Sequence, residues 1–142
     1  MCLCGKKQNM KTDIQNRADL QKLVSNFYEK LLQQEEFKHI FLEVAKIDIL
    51  DHMDILIDFW ESVLFQAQKY KNNTLEIHVD LHQKYRLQES HFNEWLGTVN
   101  ETVDELFEGE IADKAKVRAL SIATIIRMKI SNLDRMRLEL NN

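Results

Sequence analysis

The chain contains no proline and only three glycines in 142 residues. Proline fixes φ and removes a backbone donor, and glycine frees the chain to turn. Their scarcity leaves few points at which a helix has to stop. Long helices with short connections follow, and hence an all-α fold. The two cysteines, Cys2 and Cys4, stand together at the N-terminus, where they cannot staple distant elements. No apolar run approaches the roughly 20 residues of a membrane span. Lys6, Lys7, Gln8 and Asn9 also break the start where a secretory signal would carry its apolar stretch. A cytoplasmic protein with no membrane span is expected. The formal charge of -4, with both signs mixed along the chain, lacks the electropositive surface that nucleic-acid binding needs.

What is present suits one domain. A hydrophobic share of 44% at this length builds a single core, and we place the domain at 12–142 after an irregular lead-in over 1–11. Thr12 and Gln15 have capping-box spacing ahead of Leu20, Leu23, Val24, Phe27 and Leu31, which recur at helical intervals to about Gln34. A short corner piece spans Glu36 to Leu42. A third helix is expected from Asp48 to Tyr70, with Ile49, Met53, Leu56, Trp60, Val63 and Leu64 on one stripe and His52 and Phe59 on its flank. Thr74 is placed to cap a short helix reaching His82. Further helices are expected over Glu89–Glu108, ended by Gly109, and over Glu110–Leu138, where Ala115, Leu120, Ala123, Ile126 and Ile130 form the apolar side.

The histidines carry the chemistry. His78 sits in the short tethered segment Thr74–Leu81, where an imidazole can be tilted toward a metal while its other nitrogen is held by a carbonyl or carboxylate. A partly buried core histidine is the plainer reading. His82, four residues on, could share a helix face with His78 and bind zinc with His91 or a carboxylate. Against that, the paired Glu and Glu-x-x-His ligands of a di-metal bundle are missing and the cysteines are remote. His39 reads as a surface residue. Tyr28 and Trp95 each lie on an apolar face and carry a donor that needs an acceptor.

The spaced words Phe27-Tyr28-Glu29-Lys30, Ile40-Phe41, Asp51-His52, Phe59-Trp60-Glu61, Leu75-x-x-His78-x-x-Leu81 and His91-Phe92-x-x-Trp95-Leu96 resemble a truncated haemoglobin of the third group, from about Ile14 to Met128. That resemblance implies a shortened globin, two helices over two around haem b (iron protoporphyrin IX). It implies His78 as the proximal iron ligand, and Tyr28, Trp95 and His52 as the distal pocket. Phe41, Phe59, Trp60 and Phe92 would pack on the porphyrin. Lys84, Tyr85 and Arg86, following the proximal helix, are the candidates for its propionates. The chain departs from the family in having Gln66-Ala67 after Phe65, where glycine is common, and in lacking prolines after His78.

The function expected from the resemblance is high-affinity binding of dioxygen and other diatomic or small ligands, such as nitric oxide, carbon monoxide and cyanide. Nitric oxide dioxygenase or peroxidase-like redox use, fed by an electron-donating reductase, fits better than bulk oxygen transport. Two other readings stand beside it: a haem-free helical interaction module, and a gas sensor acting through a partner.

Overall fold

The computed structural model describes residues 10–68 and 73–141, and every regular element among them is helical. Helix α1 is Arg17–Leu31 and α2 is Glu35–His39, running into a π-helical turn over Ile40–Val44. Then come α3 (Ile49–Phe65), α4 (Thr74–Lys84), α5 (Glu89–Leu106) and α6 (Glu110–Leu140). Most of the expected lead-in, including Cys2 and Cys4, lies outside the described residues, as does Tyr70. Among the described residues, no helix is long and apolar enough to cross a membrane.

Helix α1 packs on α3 and α5, while α6 lies against α5, α4 and α3. The main core forms where these helices meet. Leu20, Val24, Leu31, Val103 and Ala115 are almost wholly buried there with Trp60, Ile57 and Phe27. Each fully buried large aliphatic side chain stabilises the fold by about 1.5–3 kcal/mol. The inward ridge of α6 is Ala112, Ala115, Ala119 and Ala123 before it widens to Ile126 and Ile130. Small side chains at that spacing let the facing helices come close. Arg17 ties the start of α1 to α3 through Asp58 at 2.8 Å and Glu61 at 2.9 Å.

The caps differ from the sequence expectation. Asn16, not Thr12, caps α1, accepting from the Asp19 N–H, and Asn73 rather than Thr74 caps α4, accepting from the Glu76 N–H at 3.1 Å. Both asparagines have extended backbone, which is what an N-cap requires. Helix α3 stops at Phe65, five residues early, because Gln66 turns left-handed with φ of 58°. Leu120, expected on the buried side of α6, is instead on its outer face and 53% exposed.

Asp13 fastens the chain's start to α6. Its carboxylate accepts from the N–H groups of Ile111 (2.9 Å), Ala112 (2.8 Å) and Ile14 (2.8 Å). Gly109, the residue before α6, has φ of +148°, a conformation strained for any side chain, and a Cβ there would collide with Asp13. Burial pushes the Asp13 carboxyl up, but the backbone donors outweigh it and hold the group below its ordinary value. Removing the cap as Asp13→Ala is expected to cost about 0.5–2 kcal/mol in urea unfolding at pH 7. A carboxyl lowered in the folded state contributes above its unfolded pKa, 3.8, and loses that contribution as pH falls through the folded value. The gap between wild type and variant should therefore close in acid, and an equal gap at both pH values would refute the assignment.

Candidate functional site

Helix α4 is the unusual element. It carries Leu75, Ile77, Val79 and Leu81 yet buries none of its residues fully, and its main packing partner is α6. Leu75, His78 and His82 follow one another at one-turn spacing. Leu75 packs against the second core cluster of Phe92, Ala123, Ile126 and Ile130, and His82 reaches Asp134 of α6, so His78 lies on the same inward strip.

The His78 ring is fixed by its own helix. A carbonyl can only accept, so the 2.7 Å contact between His78 Nδ1 and the Thr74 carbonyl makes Nδ1 the protonated nitrogen. Nε2 then bears a free lone pair. Burial lowers the imidazole's pKa, and the Thr74 carbonyl only partly offsets this, so the ring is neutral at pH 7. A neutral ring with one nitrogen anchored and the other available is the donor that a metal requires.

Across the fold, Tyr28 is buried on α1, its ring edge-on to Phe27 at 4.8 Å and to Phe41 at 5.7 Å. Phe41 sits in the π-helical turn, where an extra residue per turn re-aims side chains. Phe27 also meets Trp95 of α5 edge-on at 5.9 Å. Trp95 packs against both core clusters, which links the Tyr28 group to the cluster holding Leu75. Neither the Tyr28 hydroxyl nor the Trp95 N–H makes a hydrogen bond among the described residues, so both donors are unspent. Burial pushes the Tyr28 phenol far above its ordinary range, which keeps it a donor.

The other expected residues are placed as follows. His52, half-buried on the first turn of α3, donates from Nδ1 to the Asp48 carbonyl at 3.0 Å and, among the described residues, makes no ring contact with the Tyr28 group. Phe59 is half-buried and edge-on to Trp60 at 5.5 Å. Trp60 lines a small apolar void of about 10 Å³ with Leu23, Phe27, Val99 and Ala115. Phe92 anchors the second cluster. Tyr85 donates to Glu36 at 3.3 Å, Arg86 lies 3.6 Å from Asp134, and Lys84 is exposed with no ion pair among the described residues.

Two histidines have structural work that spacing alone did not reveal. His82 Nδ1 accepts from the Leu87 N–H at 2.9 Å, so its Nε2–H donates to Asp134 at 2.9 Å. His91 Nδ1 accepts from the Gln88 N–H at 2.8 Å, capping α5, and its Nε2–H donates to Glu36. That hydrogen bond holds the Glu36 carboxyl below its usual range. With both nitrogens of each ring engaged, neither imidazole offers the lone pair of the zinc alternative. Among the described residues no three metal-ligating side chains cluster.

Residues 12–132 match the family described as bacterial-like globin. This chain belongs to that family. Haem and the chemistry of small gaseous ligands are what globin membership implies. Among solved structures, the globin is similar to the group III truncated haemoglobin from Campylobacter jejuni, with a TM-score of 0.74 and 23% identity over 85% of this chain and 95% of that one. The fold is thus the two-over-two helical sandwich of a truncated globin. No curated protein matches it in sequence.

The arrangement makes the far end of α4 depend on Asp134. Asp134→Ala should release the His82 ring and speed amide exchange across Thr74–Lys84 roughly five- to tenfold, the worth of about 1 kcal/mol. Core amides of α1 should keep their rates, and uniform acceleration across the protein would contradict local anchoring.

Proposed function

We propose that this globin binds haem b through His78 and uses Tyr28 and Trp95 to hold dioxygen and other diatomic ligands tightly. Its use would lie in nitric oxide or peroxide redox chemistry rather than bulk oxygen transport. The observation carrying this reading is the His78 ring, neutral, anchored through Nδ1 to the Thr74 carbonyl and keeping its Nε2 lone pair free. The residues fit the group: one unspent imidazole nitrogen, two unspent donors, and half-buried apolar side chains such as Phe41 and Phe59. When bound, haem supplies the iron at which a small ligand attaches and through which electrons pass.

The chain's own side chains do the rest. The Thr74 carbonyl fixes the rotation of the His78 ring and raises the basicity of Nε2. Tyr28 and Trp95 point donors at a ligand that gathers negative charge on its outer atom, as dioxygen does and carbon monoxide does much less. His52, with Nε2 unspent, is the side chain that gates this side. Phe41, Phe59, Trp60 and Phe92 provide the apolar walls. Lys84 is the freest propionate partner, since Tyr85 and Arg86 already answer to Glu36 and Asp134. Tight holding opposes rapid oxygen delivery, and redox turnover needs an electron-donating reductase partner.

Titrating haem-free protein with haemin tests the ligand. Wild type should take up one equivalent and His78→Ala should bind weakly, with added imidazole restoring the wild-type spectrum. A His78→Ala protein with an unchanged spectrum would move the ligand elsewhere. Tyr28→Phe removes one hydrogen bond worth about 1.5–3 kcal/mol to a charged partner. Oxygen release should then quicken on the order of ten- to a hundredfold at about 1.4 kcal/mol per decade. Stopped-flow release rates check this, and an unchanged rate would remove Tyr28 from the pocket.

A further inference from the structure

The outer face of α6 has no partner among the described helices, yet it is patterned. Asp113, Val117, Leu120, Thr124, Met128, Ser131 and Arg135 recur at steps of four, three, four, four, three and four residues. That is an 11-residue period, which keeps all of them on one line along a nearly straight helix. Val117, Leu120 and Met128 on this line are 61%, 53% and 59% exposed and share one face of the helix. Acid stands at one end of the line and base at the other.

We propose that this face docks a second copy of the chain, the two α6 helices running antiparallel about a two-fold axis at Thr124. In that register Asp113 of each copy meets Arg135 of the other, Leu120 meets Met128, Val117 meets Ser131, and Thr124 meets itself. Every pairing is symmetric about Thr124 and occurs twice, as an isologous contact demands. A parallel arrangement would set Asp113 on Asp113 and Arg135 on Arg135, so charge selects the antiparallel one.

The charged ends are free to be used. Asp113 is 77% exposed and only loosely engaged by Lys116 at 3.9 Å, and Arg135 spends one N–H on Asn132 at 3.0 Å. Val117 and Leu120 also rim a surface groove of about 360 Å³ between α5 and α6, with Leu96 on its far wall. The partner's Met128, flexible and paired with Leu120, is the side chain that fills it. The paired line spans about 33 Å of helix, which suits an interface at the smaller end of the specific range. The dimer is therefore concentration-dependent.

Sedimentation equilibrium of the full chain across the micromolar range tests this, with circular dichroism confirming that each variant is folded. Wild type should show a monomer–dimer equilibrium. Asp113→Arg and Arg135→Asp should each weaken it about tenfold or more, the double variant should restore it, and Leu120→Lys should abolish it. The proposal is overturned by a wild type that stays monomeric throughout, by a dimer indifferent to these changes, or by a double variant no better than the single ones. None of these readouts depends on haem.

Discussion

The close approach allowed by the alanine ridge of α6 governs the rest of this globin. Ala112, Ala115 and Ala119 present small side chains to the main core, where α3 and α5 pack against α6 and the large side chains of α1 complete the core. From Ala123 on through Ile126 and Ile130 the helix lines the second cluster, and α4 rests there through Leu75. One helix thus lines two clusters along its length. The first is the main core, and the second leaves α4 only partly covered, with His78 on its inner strip.

That division explains why the candidate site and the core can share aromatic residues. Trp95 touches both clusters, and Phe27 is a wall of the core void on one side and a neighbour of Tyr28 on the other. The donors of Tyr28 and Trp95 are therefore carried on rings whose bodies are already immobilised by packing. Such preorganisation lowers the cost of orienting a polar group toward a ligand. The π-helical turn adds Phe41 to the same group without lengthening the corner.

Much of this was legible in the sequence, because apolar spacing survives folding. The helices were found where periodicity placed them, and Tyr28, Trp95 and His78 lie on faces that look inward. Caps were less legible: Thr12 and Thr74 have suitable chemistry, but each stands near an asparagine that fits the turn, and only the backbone angles decide between them. The early end of α3 has no sequence signal, since glutamine seldom adopts the left-handed conformation of Gln66. The carboxylate partners of His82 and His91 lie 52 and 55 residues away, beyond the reach of any local spacing rule. Leu120 misled because α6 is apolar on two sides, one facing the core and one facing out.

The segment leaving α4 is held in an uncommon way. Two consecutive amides, Leu87 and Gln88, are each received by an imidazole Nδ1 instead of by a carbonyl. A backbone carbonyl is held by the helix or turn it belongs to, whereas each of these rings is itself held by a carboxylate on a distant element, Asp134 of α6 for His82 and Glu36 of α2 for His91. The bend between α4 and α5 is accordingly fastened through side chains to two elements far off in the chain, and freeing either carboxylate would slacken the backbone between them.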